Sequence, residues 1–208
     1  MGTRLTQPQR WIDQSHVDRD LRDLDLAEAD LRGCHFERCQ FRGARLTEAT
    51  ISGCVFTECD FRGAHLGSAT VIGTAILNSQ FGMTDLFLTT FRECKLTGTT
   101  FTEADLSQTT IAGGDWSLTN LRAANLRKVD LRKVRLAEAD LYSANLSDAD
   151  LREADLSGAN LERARLSGAD LRGALLDGIN LLALDLHGVR LDVQQALLLA
   201  RWHGALIE

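Results

Sequence analysis

Residues 139–156 run Ala139-Asp140-Leu141-Tyr142-Ser143-Ala144-Asn145-Leu146-Ser147-Asp148-Ala149-Asp150-Leu151-Arg152-Glu153-Ala154-Asp155-Leu156. A leucine stands at every fifth position, an alanine two places before it, and Asp or Asn between the two. Followed outward, the apolar beat holds from Leu21 to Leu191 at 35 consecutive positions, filled only by Leu, Phe, Ile, Val or Trp. The series two places earlier holds mostly small residues, beginning Ala29, Cys34, Cys39, Ala44, Ala49, Cys54 and Cys59. A period of five fits neither the 3.6 of a helix nor the 2 of a strand. It is the signature of a repeat architecture, in which neighbouring units bury one another.

If each five-residue unit is one side of a squared coil, four units close a turn and residue i stacks on i+20. The central apolar residue and the small residue point inward, and the other three positions face water. The outward positions carry nearly all the charge, as in Asp30, Arg32, Glu48, Asp60 and Arg62. At the inter-strand spacing of ~4.8 Å, nearly nine turns make a rod roughly 42 Å long. The expected fold is an all-β solenoid, a right-handed quadrilateral β-helix, with residues 1–18 as an N-terminal cap, 19–192 as the coil and 193–208 as a C-terminal helix. Phe41, Phe61, Phe81 and Phe101 are spaced by 20 and are expected to stack. Phe36, Phe56, Ile76, Leu96 and Trp116 form the column of another side.

All five cysteines fall on the inward small position, where they serve as small hydrophobes. Their spacing is that of the repeat and exceeds that of structural zinc sites, so no metal is expected. Unpaired thiols suit a reducing cytoplasm, and no stretch is long and apolar enough to span a membrane. No phosphate-binding glycine loop, nucleophile elbow or His-Glu-x-x-His motif is present. His35, His65 and His187 sit on outward positions, scattered along the rod. The expectation is a protein without catalytic residues, cofactor or metal.

The Ala-(Asp/Asn)-Leu-x-x pattern resembles pentapeptide-repeat proteins, whose fold is four-sided. Trp11-Ile12-Asp13, Asp20-Leu21-Arg22-Asp23, the run Val189 to Ala196 and His203-Gly204 look like the MfpA/Qnr-like, DNA gyrase-interacting quinolone-resistance type. The resemblance implies a partner, DNA gyrase or topoisomerase IV, whose DNA-binding surface the rod would occupy as a DNA mimic. It implies no direct contact with nucleic acid. The unbroken frame departs from the Qnr pattern, since their loop insertions are absent. A general interaction scaffold with another protein partner is the competing reading.

Charge limits the mimicry. Outward coil positions carry 26 acidic and 19 basic residues, whereas ~42 Å of duplex carries about 25 negative charges. Any imitation is therefore local. One acidic concentration spans Asp18 to Asp30; a second comprises Glu138, Asp140, Asp148, Asp150, Glu153 and Asp155. Between them lies a basic belt of Arg122, Arg127, Lys128, Arg132, Lys133 and Arg135. The i+20 rule predicts that Lys128 pairs with Asp148, Lys133 with Glu153, and Arg135 with Asp115 and Asp155.

Residues 63–84 contain no Asp, Glu, Lys or Arg, and in this stretch and just beyond it Ile72, Leu77, Met83, Phe87 and Leu88 occupy outward positions. This ring is either a contact surface or packs upon itself. At the C-terminus, Asp192 with Gln195 forms a capping-box pattern for a helix ending near Gly204. Val193, Ala196, Leu197 and Ala200 make one apolar stripe, expected to lid the coil. Leu198, Trp202 and Ala205 make another. With Leu206 they predict a homodimer through the C-termini, using Leu197, Leu198, Trp202 and Leu206.

Overall fold

The structure, a computed structural model, describes residues 9–206, with the side chain of Trp202 excepted. The chain winds as a parallel solenoid in which residues 20 positions apart pair along most of its length. Ten three-residue strands are long enough to be distinct. They are β1 Arg10–Ile12, β2 Ser15–Val17, β3 Asp30–Arg32, β4 His35–Glu37, β5 Thr50–Ser52, β6 Val55–Thr57, β7 Thr70–Ile72, β8 Ala75–Leu77, β9 Thr90–Arg92 and β10 Thr110–Ala112. One sheet runs β1-β3-β5-β7-β9-β10 and its neighbour β2-β4-β6-β8. The other two sides, and most of the C-terminal half, hold together through single bridges such as Asp60↔Gln80 and Asn145↔Arg165. The pairing begins at Arg10, ahead of the coil boundary expected at residue 19, because Trp11 and His16 occupy central positions above Leu31 and Phe36. Residues 1–8 and 207–208 of the expected end segments lie outside the described residues.

The residue-level logic repeats in every unit. The central residue is buried, typically to within 2% exposure from Leu26 to Leu171, and each buried Leu or Phe contributes roughly 1.5–3 kcal/mol. Its N–H donates up the coil axis, as Leu21 N does to Gln40 O at 2.8 Å. The small residue tucks behind the corner, its N–H closing a tight turn, as Ala44 N does to Phe41 O at 3.0 Å. Where that residue is threonine, its side chain mostly donates to the carbonyl 23 positions earlier, whereas Ser79 and Thr119 turn to the nearer carbonyls of Leu77 and Trp116. Thr84 Oγ1 reaches Phe61 O at 2.9 Å and Thr89 Oγ1 reaches Leu66 O at 2.8 Å. The five thiols are free and buried. The Asp or Asn before the central residue accepts from the N–H two places on, as Asp60 does from Arg62 at 3.1 Å. This is a local Asx-type bond, which accounts for the residue type at that position.

The second residue after the centre lies in the left-handed region, for example Asp23 at φ 55°, Leu88 at 59° and Lys128 at 62°. From Asp13 to Gly188 that position never holds Val, Ile, Thr or Pro. Branching at Cβ clashes there, and proline cannot take a positive φ. This sterically imposed exclusion is legible in the sequence beside the apolar beat.

The aromatic columns form as expected. Phe41–Phe61 and Phe61–Phe81 stack at 4.7 and 4.6 Å between centroids, and Phe36–Phe56 at 4.8 Å. Trp116 is wholly buried, stacked on Phe101 and edge-on to Phe91, both at 5.4 Å. Its indole N–H has no hydrogen-bond partner.

The frame is continuous in sequence, but the ladder is not. Among the described residues, the bridges Asp105↔Asn125 and Thr110↔Asp130 are missing. The N–H groups of Glu103, Leu106, Gln108, Ile111 and Gly113 find no acceptor in the next coil. The coil is thus parted on two adjacent sides and closed on the others, where Thr100↔Asn120 and Asp115↔Arg135 persist. Leu106 belongs to the side opposite Trp116, and Trp116 is the largest side chain in the interior. A core too full at one level relieves itself by backbone shifts. Gly114 occupies the small-residue slot beside Trp116, where a Cβ would meet Cys94 O at 2.3 Å. A second parting occurs in the last coil, where Leu184 takes the small-residue slot and Leu181–Ala183 form a 3-10 turn.

The C-terminal helix, α1, spans Val193–Trp202 with the expected capping box: Asp192 accepts from Gln195 N, and Gln195 Oε1 accepts from Asp192 N. Its seating differs from expectation. Val193 is 75% exposed, and Ala196 and Leu197 also face water. Gln195 faces the coil instead, with Nε2 donating to Leu171 O at 2.8 Å and Ala174 O at 3.0 Å, and Leu199 packs beside it. The last coil presents unpaired carbonyls, so an amide donor satisfies what an apolar stripe would leave orphaned.

Candidate partner-binding surfaces

The acidic and basic clusters are largely spent on each other. Asp18 pairs with Arg38, Asp20 with Arg22 and Asp25 with Arg45, at 2.8, 2.6 and 3.4 Å. In the second cluster Asp140 pairs with Arg122 at 3.0 Å, Glu153 with Lys133 at 3.6 Å and Asp155 with Arg135 at 3.5 Å. Asp115 also receives Arg135, at 3.9 Å. Asp148 departs from expectation: its cation is Arg127 at 3.3 Å, not Lys128. Lys128 shares the left-handed corner geometry of Lys133, which does reach Glu153, so the backbone does not account for the exchange of partner. Asp150 takes Arg152 at 2.6 Å and Arg132 at 3.7 Å. Of that cluster, only Glu138 has no ion pair among the described residues.

These pairs shape titration. The Arg22 guanidinium holds Asp20 down at about 2. Arg152 and Arg172 likewise hold Asp150 and Asp170 below the usual carboxylate range. Exposed pairs of this kind contribute little individually, so their main effect is to quench the local field. Arg122 also lies 4.2 Å over the Tyr142 ring, a cation–π contact the sequence did not announce.

The apolar ring is real but uneven. Met83 is 64% exposed, while Ile72, Phe87 and Leu88 are between 38% and 46% exposed. Leu77 is half-buried and does not stand out with them. Met83 and Leu88 occupy left-handed corners, and Phe87 follows Asp85, whose carboxylate accepts the Phe87 N–H at 3.0 Å. Leu118, also at a corner and 54% exposed, is an apolar outward residue that the uncharged stretch did not flag.

At the C-terminus Leu197, Leu198 and Leu206 are exposed, and Leu175 joins them on the last coil. A cleft of about 460 Å3 between α1 and that coil is lined by Leu175, Leu176, Gln194, Leu197, Leu198 and Arg201. The Trp202 side chain lies outside the described residues. No group of three or more His, Cys, Asp or Glu is arranged to hold a metal among the described residues. No described helix is long and apolar enough to cross a membrane.

A four-sided parallel solenoid, with its chemistry displayed on faces and corners, defines the class. Models of the pentapeptide repeat region match residues 84–161, and models of pentapeptide repeats in eight copies match 25–63, 39–74, 144–181 and 159–192. The chain belongs to the pentapeptide-repeat family. Among solved structures it is similar to full-length QnrB1, described as a plasmid-mediated fluoroquinolone resistance protein. That likeness has a TM-score of 0.86 at 23% identity and covers 94% of this chain and 100% of QnrB1. A trypsin-treated form of QnrB1 gives 0.87 at 24% identity, covering 95% and 99%. At that identity the likeness establishes a common fold. No curated protein matches by sequence.

Proposed function

We propose that this chain is a non-enzymatic, DNA-mimic-like protein that binds DNA gyrase or topoisomerase IV and protects it from poisons such as fluoroquinolones. The observation that supports the reading is the likeness in fold to QnrB1, a fluoroquinolone-resistance protein, over 94% of this chain and 100% of QnrB1. The rod would lie along the enzyme's DNA-binding surface. Because its carboxylates are mostly paired with arginines, recognition would rest on rod shape, on Glu138 and neighbouring acids, and on Met83, Phe87 and Leu88. Purified gyrase supplies the test. Adding the protein should restore supercoiling and reduce quinolone-trapped cleavage; unchanged cleavage at stoichiometric excess would leave a scaffold for some other partner as the better reading.

The same proposal includes a cytoplasmic homodimer through α1. Leu175, Leu197 and Leu198 line one cleft at this end and are exposed, as is Leu206, and a second copy would cover them. Sedimentation should give twice the chain mass of 22.9 kDa. Leu198→Asp should halve it while leaving the circular dichroism of the coil intact; a single-chain mass for the parent protein overturns the dimer.

A further inference from the structure

The last coil is loosely seated. Central residues from Leu21 to Leu181 are buried, but Leu186, the next residue of the column above Leu166, is half-buried. The bridges Asn160↔Asn180 and Arg165↔Asp185 are missing among the described residues. One coil below, Ser143 N donates to Glu162 O at 2.9 Å and Leu146 N to Arg165 O at 2.8 Å. The corresponding N–H groups of Arg163 and Leu166 find no acceptor in the coil above. Both residues line a cleft of about 510 Å3, bounded above by Ala183, Leu184 and Asp185. Main-chain donors left without a partner favour a ligand rich in acceptors.

Charge in the cleft points the same way. Arg122, Arg135 and Arg152 of the neighbouring coils are held by carboxylates, whereas Arg163 and Arg165, both in the cleft lining, have no ion pair among the described residues. Asp185 is the column neighbour of Arg165, as Asp25 is of Arg45 at 3.4 Å. The 3-10 turn at Leu181–Ala183 puts Asp185 out of register, and its Oδ1 accepts from His187 N at 3.0 Å. Asp185 is the one carboxylate among the described lining residues, so two guanidinium groups face a single negative charge. Arg163 lies 5.5 Å over the Tyr142 ring, a contact that orders its side chain. Ser147 and Ser167 add hydroxyl groups to the same lining.

We propose that this cleft binds the phosphoryl group of a small phosphorylated molecule. The phosphoryl oxygens accept from the N–H groups of Arg163 and Leu166 and from the fork of Arg165, whose paired donors match an oxyanion. The Arg163 guanidinium balances the second negative charge. The same donors suit free phosphate, but Ala183 and Leu184 give the upper wall an apolar surface, against which the body of an ester lies. The site requires nothing of the gyrase reading and stands or falls apart from it.

Inorganic phosphate and phenyl phosphate are the probes, titrated against the full chain by amide NMR beside chloride at matched ionic strength. Both should saturate and shift the Arg163 and Leu166 amides, with phenyl phosphate binding several-fold tighter. Equal affinities would assign the cleft to free phosphate and overturn the ester. Arg165→Gln should weaken both probes about tenfold, the loss of one charge-assisted pair, while keeping the parent's thermal midpoint. Arg92→Gln, on a distant coil, should leave binding unchanged. Asp185→Asn removes the opposing charge, keeps an oxygen for His187 N, and should tighten binding several-fold. Chloride shifting the same amides as strongly as phosphate would overturn the site, as would unchanged affinity in Arg165→Gln.

Discussion

Trp116→Phe should make this protein more stable, although it removes buried apolar surface. The loss is small: a phenyl ring buries about 40 Å2 less than an indole, which costs about 1 kcal/mol at ~25 cal/mol per Å2. Two gains oppose it. The indole N–H is buried without a partner, and removing such a group recovers about 1–3 kcal/mol. Relief of an overfull core recovers a further ~1–3 kcal/mol. Phe at this position can meet Phe101 edge-on, as Phe56 of the same column meets Phe41 and Phe61. The net expectation is a gain of about 1–5 kcal/mol in urea unfolding followed by circular dichroism. A second readout is local: with the core thinned, the coil should close, and the Leu106 and Ile111 amides should exchange more slowly. A loss of stability beyond about 1 kcal/mol, with both amides still exchanging quickly, would refute the link between the indole and the parted ladder.

Further perturbations probe the rest of the coil. Phe61 stacks on both Phe41 and Phe81, so Phe61→Ala should cost about 3–5 kcal/mol in equilibrium unfolding. Phe61→Leu should cost about 1–3 kcal/mol, mainly from the two stacks. Gly114→Ala drives a Cβ into Cys94 backbone at a φ of 98° and should destabilise by more than about 2 kcal/mol, or prevent folding, in a thermal melt. Burial pushes the Cys59 thiol up to about 12 and Cys54 up to about 11, so iodoacetamide at pH 8 should label neither until denaturant unfolds the chain. Acid should loosen the Asp–Arg side. Asp130, Asp150 and Asp170 are held below the usual value of 3.8 by Arg132, Arg152 and Arg172. Their depressed folded-state values mean the contribution is complete above that value and is lost as pH falls below it. Melts between pH 5 and about 2 should show this decline, weakened by added salt.

The sequence makes the coil legible because its determinant is local and periodic: one apolar residue, one small residue and one Asx per side. The Phe columns, the buried thiols and the Asp192–Gln195 capping box follow from the same counting. The partings do not, because they depend on the summed volume of side chains across a section. Trp116 counts as one more apolar beat until its size is set against the opposite wall. The start of the coil was obscured because His16 breaks the apolar series while still stacking on Phe36 at 5.1 Å. The seating of α1 was misread for a related reason. Apolar periodicity favoured Leu197, whereas the end of a coil needs a donor for open carbonyls, and Gln195 is that donor. Arg127 rather than Lys128 reaches Asp148, although Lys133 at the equivalent corner does reach Glu153, so spacing by 20 names the column and not the partner within it.

That corner has a consequence for how such a surface changes over generations. One residue in five is confined to glycine or side chains unbranched at Cβ, whatever lies outside it, so Val, Ile, Thr or Pro is strained there even where exposure is high. Met83, Leu88 and Leu118 are the apolar choices that pass this filter, and their long, pliable chains can conform to more than one neighbour. Corners of the rod can therefore acquire adhesive, adaptable contacts by single substitutions without altering the winding, whereas rigid branched contacts must arise on the flat sides.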